Sequence, residues 1–349
     1  MDKKVIAVIF GGCSPEYDVS LQSAFSVLKN LDKDKHKIIP IGITKDGDWY
    51  RYCGNIERIR DNTWFENAEE IRAVGFSQNR SNRGFLELSN GEYSLMKVDL
   101  VFPVLHGKNG EDGTVQGMLE LSGIPVVGCD TLSSALCMDK ERAHRLASTF
   151  GVSVPKSLSF DVYSRDGAAK KVSKSLKFPV FVKPVRAGSS FGITKVLDES
   201  GIERAIALAF EYDCNIIVEE AIEGFEVGCA VMGIGGDLTI GRVDEIELSD
   251  GFFDYEEKYT LKSSKIHMPA RIDSATEKRI QETAAVIYHA LGCSGFARVD
   301  MFLTPSKEII FNEVNTIPGF TSHSRYPNMM KGIGLSFAEM LDRLIGLYI

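Results

Sequence analysis

At 349 residues the chain exceeds what one hydrophobic core sustains, so two or three domains are expected. Hydrophobic residues at 44% and charged residues at 25% exclude a disordered chain, and the lack of an apolar run of about 18 residues argues against a membrane partner. A net charge of −8 opposes binding to phosphate backbones, which argues against nucleic acid as a partner.

The apolar run at residues 5–10 is too short for a signal peptide and meets Gly11-Gly12 rather than a small-residue cleavage site, so it reads as a buried first strand. A helix with Leu21, Ala24, Phe25 and Leu28 on one face follows, then a strand at 38–43, which together form a βαβ opening and predict a parallel sheet. Residues 45–97 are more polar, hold Trp49 and Trp64, and turn at Asp46-Gly47; they read as an elaboration of the first domain. The βα rhythm resumes with a strand at 98–105, a helix near 113–121 and a segment at 125–128, where the first domain ends. A helix from about 134 to 151, a strand at 179–183, a glycine-rich turn and a helix from about 201 to 212 form a small α+β unit. The last third alternates strands with a long helix, opened by Ser274 and Glu277 in capping-box spacing, whose Ile280, Ala284, Ile287 and Leu291 stripe faces a core. Seven cysteines show no C-x-x-C spacing, which fits free thiols in a reducing cytoplasm.

The segment GFARVDMF from Gly295, a turn at 304–308, and IIFNEVN from Ile309 predict a β-hairpin. Alternation puts Arg298, Asp300 and Phe302 on one face of the first strand and Glu313 with Asn315 on one face of the second. A turn centred between Ser306 and Lys307 sets Asp300 opposite Glu313 and Arg298 opposite Asn315. Two facing carboxylates repel unless positive charge lies between them, and oxygen ligands of this kind suit Mg²⁺. A solvated polar face is the alternative. In residues 178–192 a strand ends at Lys183-Pro184 and runs into Gly188-Ser189-Ser190-Phe191-Gly192, either a phosphate cradle or a plain hairpin turn. The link between strands near 216–228 holds Glu219 and Glu226 and is either an exposed connection or the edge of a nucleotide site. Glu16 stands near a helix start, where it either caps the helix or binds an ammonium. His106 opens a polar loop that is a site or a structural feature, and the absence of G-x-G-x-x-G argues against a nicotinamide.

Together these segments resemble the D-alanine:D-alanine ligase family of ATP-grasp enzymes nearly end to end. HGKNGEDGT from His106, Lys183-Pro184 followed by Gly188-Ser189-Ser190, EEKY ending at Tyr259, ARVD at 297–300, and NEVNTIPG through Gly319 stand in family order. The resemblance implies a Rossmann-like N-terminal domain at 1–130, with its insertion at about 45–97. It then implies two α+β ATP-grasp domains, a central one at 131–220 and a C-terminal one at 221–349 with a mobile loop at about 250–265. It assigns Lys140, Lys183 and Lys258 to the phosphates of ATP, Glu219 to the adenine side and Glu226 to the ribose, with Glu220, Ile222, Phe252 and Phe302 also at the nucleotide. Asp300, Glu313 and Asn315 become ligands of two Mg²⁺ ions, for which Mn²⁺ can substitute. Glu16 would bind the ammonium of the first D-alanine and be linked to Ser189 and Tyr259, Arg298 and the Gly319 N–H would stabilise the oxyanion, and His106, Phe253, Ser324 and Arg325 would line the substrate. A cytoplasmic homodimer is implied as well.

Two departures point to a subgroup. After His323-Ser324 this chain has Arg325, where D-alanine:D-alanine ligases usually carry leucine, and Phe253 stands where they tend to have tyrosine. Both resemble the D-alanine:D-serine ligases of vancomycin resistance, particularly the VanG type, and imply D-alanine and D-serine as substrates. Lys258-Tyr259 argues against the D-lactate-using branch. A D-alanine:D-alanine ligase and a non-catalytic ATP-binding module are the alternatives.

Overall fold

Five successive residues of the first strand, Ile6 to Phe10 in sequence, are fully buried, the mark of a strand covered on both faces. In the computed structural model, which describes residues 3–89, 91–188, 191–248 and 264–349, this strand, β1 (Lys4–Gly11), lies between β2 (His36–Ile43) and β7 (Leu100–Val104) and is parallel to both. The polar stretch after residue 45 extends the same sheet through β3 (Trp49–Tyr52), β4 (Ile71–Phe76), β5 (Gly84–Ser89) and β6 (Glu92–Lys97), all antiparallel, in the order β6-β5-β4-β3-β2-β1-β7. A short helix, α2 (Glu57–Arg60), precedes Trp64, which is fully buried against Phe10 and donates to Tyr17 Oη at 3.0 Å. Helix α1 (Tyr17–Asn30) buries Leu21, Ala24 and Leu28 as its periodicity predicts, but Val27 takes the fourth place, and Phe25 stays half-buried beneath Lys29 and Arg60. Gly11 has φ of +90°, and a β-carbon there would collide with the Ile43 carbonyl oxygen, so the turn into the helix requires glycine.

Helix α3 (Thr114–Leu121) follows the His106 loop. The expected helix at 134–151 is two helices, α4 (Thr131–Met138) and α5 (Lys140–Thr149). The break falls at Asp139, which is extended (ψ 94°) and caps α5 by accepting from the Arg142 N–H at 3.0 Å. A second, antiparallel sheet has the order β10-β9-β11-β8, from β8 (Ser157–Asp161), β9 (Val180–Pro184), β10 (Thr194–Val196) and β11 (Asn215–Glu220). Helices α6 (Ala168–Ser175) and α7 (Ile202–Phe210) cover it with Val172, Ile202, Ala205, Ile206 and Ala209.

The third sheet is antiparallel in the order β14-β13-β12-β15-β16, from β12 (Phe225–Ile234), β13 (Asp237–Leu248), β14 (Ser264–His267), β15 (Gly295–Leu303) and β16 (Ile309–Asn315). Helix α8 (Ser274–Ala290) packs Ile280, Ala284 and Ile287 against it, and Leu291 just beyond the helix joins the same core. The expected capping box there is absent: Asp273 caps the helix, and Glu277 instead accepts from Arg242 at 2.7 Å and 3.1 Å. A capping box does form at Ser336 and Glu339, opening α10 (Phe337–Gly346) after α9 (Arg325–Lys331).

Two cores cross the expected domain limits. Cys137, Ala143 and Ala147 of α4 and α5 pack with the third sheet's Val227, Val299 and Phe311. Met340, Leu341, Leu344 and Ile345 of α10 join α1 and β1 in one cluster, where each such side chain contributes about 1.5–3 kcal/mol. The resulting frame brings the C-terminal ends of β1 and β7 up to the loop after β16. Among the described residues no helix is long and apolar enough to cross a membrane.

Candidate active site

The pairing of β15 with β16 sets Arg298 opposite Asn315 and Asp300 opposite Glu313, as alternation predicts. The turn is not the expected one. Leu303 pairs with Ile309, which centres the connection on Ser306, and a bulge beside Asp300 restores the register at the site. The carbonyl of Asn312, at the bulge, accepts from His144 Nε2 at 2.7 Å. Asp300 is 1% exposed and takes Arg298 Nε at 2.8 Å, Arg298 Nη2 at 2.6 Å and the Asn315 amide at 2.9 Å. Lys140 Nζ lies 3.7 Å from Glu313 Oε2 and donates to the Ala187 carbonyl at 2.9 Å. Among the described residues no three His, Cys, Asp or Glu side chains converge to hold an ion by themselves. Two carboxylates and an amide oxygen on one face fit Mg²⁺, a hard cation commonly completed by substrate phosphates and water.

Behind this face lies a cavity of about 400 Å³ between the second and third sheets. All seven described residues expected at the nucleotide line it: Lys140, Lys183, Glu219, Glu220, Ile222, Glu226 and Phe302. Lys183 Nζ bonds Glu219 Oε2 at 2.7 Å, and His144 Nδ1 lies 3.4 Å from Glu219 Oε1. Burial opposes ionisation of Glu219, but the charges of Lys183 and His144 outweigh it and hold the carboxyl below its usual range. Burial also holds His144 below its ordinary value.

A second cavity of about 550 Å³ adjoins the first, sharing Lys140, Glu226 and Glu313 with it, and runs forward to the first sheet. Glu16, His106, Arg298, Gly319, Ser324 and Arg325 line it. Glu16 occupies the cap position of α1 and makes no side-chain cap bond, so capping does not account for it. His106 is buried, and burial keeps its ring below the ordinary value and neutral. Its Nδ1 donates to the Ile317 carbonyl at 2.9 Å, which leaves Nε2 to accept from Ser23 Oγ at 3.1 Å. Ser324 Oγ accepts from the Thr321 N–H at 3.0 Å and lies close to Gly319.

Arg325 is 9% exposed. Its Nε and Nη2 bond the two oxygens of Asp244 at 2.7 Å and 2.8 Å, and Nη1 donates to Glu226 Oε1 at 2.9 Å. The same Nη1 lies 3.5 Å from Asp300. The residue assigned to the second substrate thus faces the cleft while bound to carboxylates, one of them the glutamate assigned to ribose. Ser189, Phe252, Phe253, Lys258 and Tyr259 lie outside the described residues, as does the expected mobile loop up to residue 263.

Sequence reasoning missed Glu111, His144 and Asp244. Glu111 stood inside the HGKNGEDGT motif, so its loop was marked although the residue was not. His144 is one turn after Lys140 on α5, a spacing that places both on one helix face. Asp244 had no local signal.

A family model described as "D-ala D-ala ligase N-terminus" matches residues 5–129, and one described as "D-ala D-ala ligase C-terminus" matches residues 146–346. The vancomycin C-type resistance protein VanC1 of Enterococcus gallinarum is 46% identical, over 99% of this chain and 98% of its own. A D-alanine--D-alanine ligase of Caldicellulosiruptor bescii is 44% identical, over 100% of this chain and 96% of its own. The crystal structure of the VanG D-Ala:D-Ser ligase from Enterococcus faecalis superposes with a TM-score of 0.94 at 68% identity, with both chains fully covered. Fold and site define an ATP-dependent ligase of mixed α/β, multidomain architecture, matching the ATP-grasp structures. The chain belongs to the D-alanine:D-alanine ligase family.

Proposed function

We propose that this ligase joins D-alanine to D-serine through a D-alanyl phosphate, making D-alanyl-D-serine for peptidoglycan precursors in vancomycin resistance. The observation that carries the reading is the junction of the two cavities, where Lys140, Glu226 and Glu313 line both. A nucleotide in the rear cavity and an amino acid in the front one would meet there. Lys140 and Lys183 hold phosphates as point charges, and Glu16 orients the ammonium of the first D-alanine. Asp300, Glu313 and Asn315 would hold Mg²⁺, which when bound offsets charge on the transferring phosphoryl group. Arg298 and the Gly319 N–H face the developing oxyanion. The second amine then attacks the acyl phosphate, and water must be kept out.

Arg325 supports D-serine as the second substrate. A guanidinium has five N–H donors; three are engaged by Asp244 and Glu226 and Nη1 also lies 3.5 Å from Asp300, which leaves one Nη2 N–H to serve a hydroxyl. A site that bonds a hydroxyl penalises the analogue without it, because its donors are left unpaired. The 68% identity to the VanG D-Ala:D-Ser ligase supports the same reading. D-alanine as the second substrate is favoured by one observation, that Asp244 and Glu226 already match the charge of Arg325. Phosphate release with ATP and D-alanine alone, then with D-serine or D-lactate added, tests the proposal. Stimulation by D-serine is expected, and a rate set by D-alanine alone would refute it.

A further inference from the structure

Two carboxylates converge on Gly107. Glu16 Oε2 stands where a side chain at that glycine would have to go, and Glu111 Oε2 accepts from the Gly107 N–H at 2.7 Å. The other oxygen of Glu111 reaches the loop after β16 and accepts from the Ile317 N–H at 3.2 Å. The Ile317 carbonyl takes the bond from His106, and the Phe320 N–H donates to Ser23 Oγ at 3.2 Å. Residues 317 and 320 are therefore held by side chains of the loop after β7 and of α1. Gly319, read above as an oxyanion donor, lies between those two anchors.

The surroundings of Glu111 are in conflict with its bonds. Burial, and after it the negative charge of Glu16, push its carboxyl up to about 8. Two N–H groups call for the ionised form, because a protonated carboxyl turns one oxygen into a donor. A cation beside the pair removes the conflict, since it offsets the charge that favours the neutral acid.

We propose that Glu111 is a positioning residue: a substrate ammonium entering beside Glu16 holds the Glu111 carboxylate on both N–H groups and so fixes the 317–320 backbone, with the Gly319 N–H, for acyl transfer. The proposal rests on the assignment of Glu16 to the first ammonium, and it adds a route from ammonium binding to the oxyanion donor.

Glu111→Gln keeps the size and one accepting oxygen but turns an NH₂ group toward one of the two N–H groups. With phosphate release as the assay, kcat should fall about 10- to 100-fold and the KM for the first D-alanine should rise, with the KM for ATP within about twofold of wild type. Glu111→Asp, which keeps the charge, should recover part of the loss. Wild-type kcat and D-alanine KM in Glu111→Gln would overturn the proposal. So would a loss shared equally by the ATP KM and not eased in Glu111→Asp, which marks a merely structural role. Wild-type phosphate release that ignores D-alanine would instead refute the ligase reading itself, whatever the variants do.

Discussion

Replacing Arg325 by leucine probes second-substrate choice, and the structure shows that the substitution also carries a stability cost. Asp244 is fully buried and receives Arg325 on both oxygens, with the Gly228 N–H at 3.0 Å as its further donor among the described residues. Removing the guanidinium strands that carboxylate, which costs about 3–5 kcal/mol. The effect sought on specificity is smaller, about 1–3 kcal/mol for one hydrogen bond between a charged donor and the substrate hydroxyl. The single variant therefore risks confusing unfolding with lost selectivity. Pairing it with Asp244→Leu removes both charges together, and exchanging a buried ion pair for apolar residues of similar size is often neutral or stabilising.

The assay is steady-state kcat/KM for D-serine and for D-alanine as second substrate, with thermal melting as a control. In Arg325→Leu/Asp244→Leu the D-serine to D-alanine ratio should fall about 5- to 150-fold, the rate equivalent of that one hydrogen bond. Melting should recover toward wild type relative to Arg325→Leu alone. A folded double variant with an unchanged ratio would refute the reasoning. Arg325 would then serve the fold through Asp244, and D-alanine would become the better reading of the second substrate.

Asp300→Asn should abolish phosphate release at ordinary Mg²⁺ while the chain still folds, because Arg298 and Asn315 can bond an amide oxygen but the compensating charge for a cation is lost; near-normal release would discard the metal assignment. Lys183→Ala should impair ATP use far more than D-alanine use, and an unchanged ATP KM and kcat would reduce the residue to a partner of Glu219. For Glu111, whose carboxyl is raised to about 8, the folded chain keeps a proton that the unfolded chain has released. Its contribution to stability is full below the ordinary carboxylate range and is lost as pH rises toward 8. The melting difference between wild type and Glu111→Gln should accordingly shrink from pH 5 to 8, and a difference that grows would reverse the assignment.

The β15–β16 site was legible because period-two alternation needs only the strand and its partner. Its bulge was not legible, since an extra residue at Asn312 leaves no mark in composition. Centring the turn half a residue late compensated for it, so Asp300 met Glu313 by a route different from the one expected. Helix ends were less legible. Ser274 and Glu277 have capping-box spacing, but Asp273 one position earlier is the cap, and Arg242 from a neighbouring strand claims the glutamate. Glu111, His144 and Asp244 show the same limit: each is defined by partners 206, 168 and 81 positions away, and no local pattern encodes such a pairing.

Charged side chains line both cavities, with acids and bases set against one another. On the proposed reading the rear cavity offers Lys140, Lys183 and Arg271 to the phosphates of a nucleotide, among six glutamates whose charge bound Mg²⁺ would help offset, and the front end offers Glu16 and Glu111 to an ammonium. Between them Asp300, Glu226 and Asp244 interleave with Arg298 and Arg325 at 2.6–2.9 Å, so the middle of the cleft carries strong local fields with little net charge. A zwitterionic D-alanine bound as proposed would turn its ammonium toward Glu16 and its carboxylate toward Lys140 and Arg298, at the junction with the nucleotide. In the proposed ligase Arg325, among the described residues, is the group that would discriminate a hydroxyl from a methyl group, because a donor left unpaired by D-alanine carries the cost.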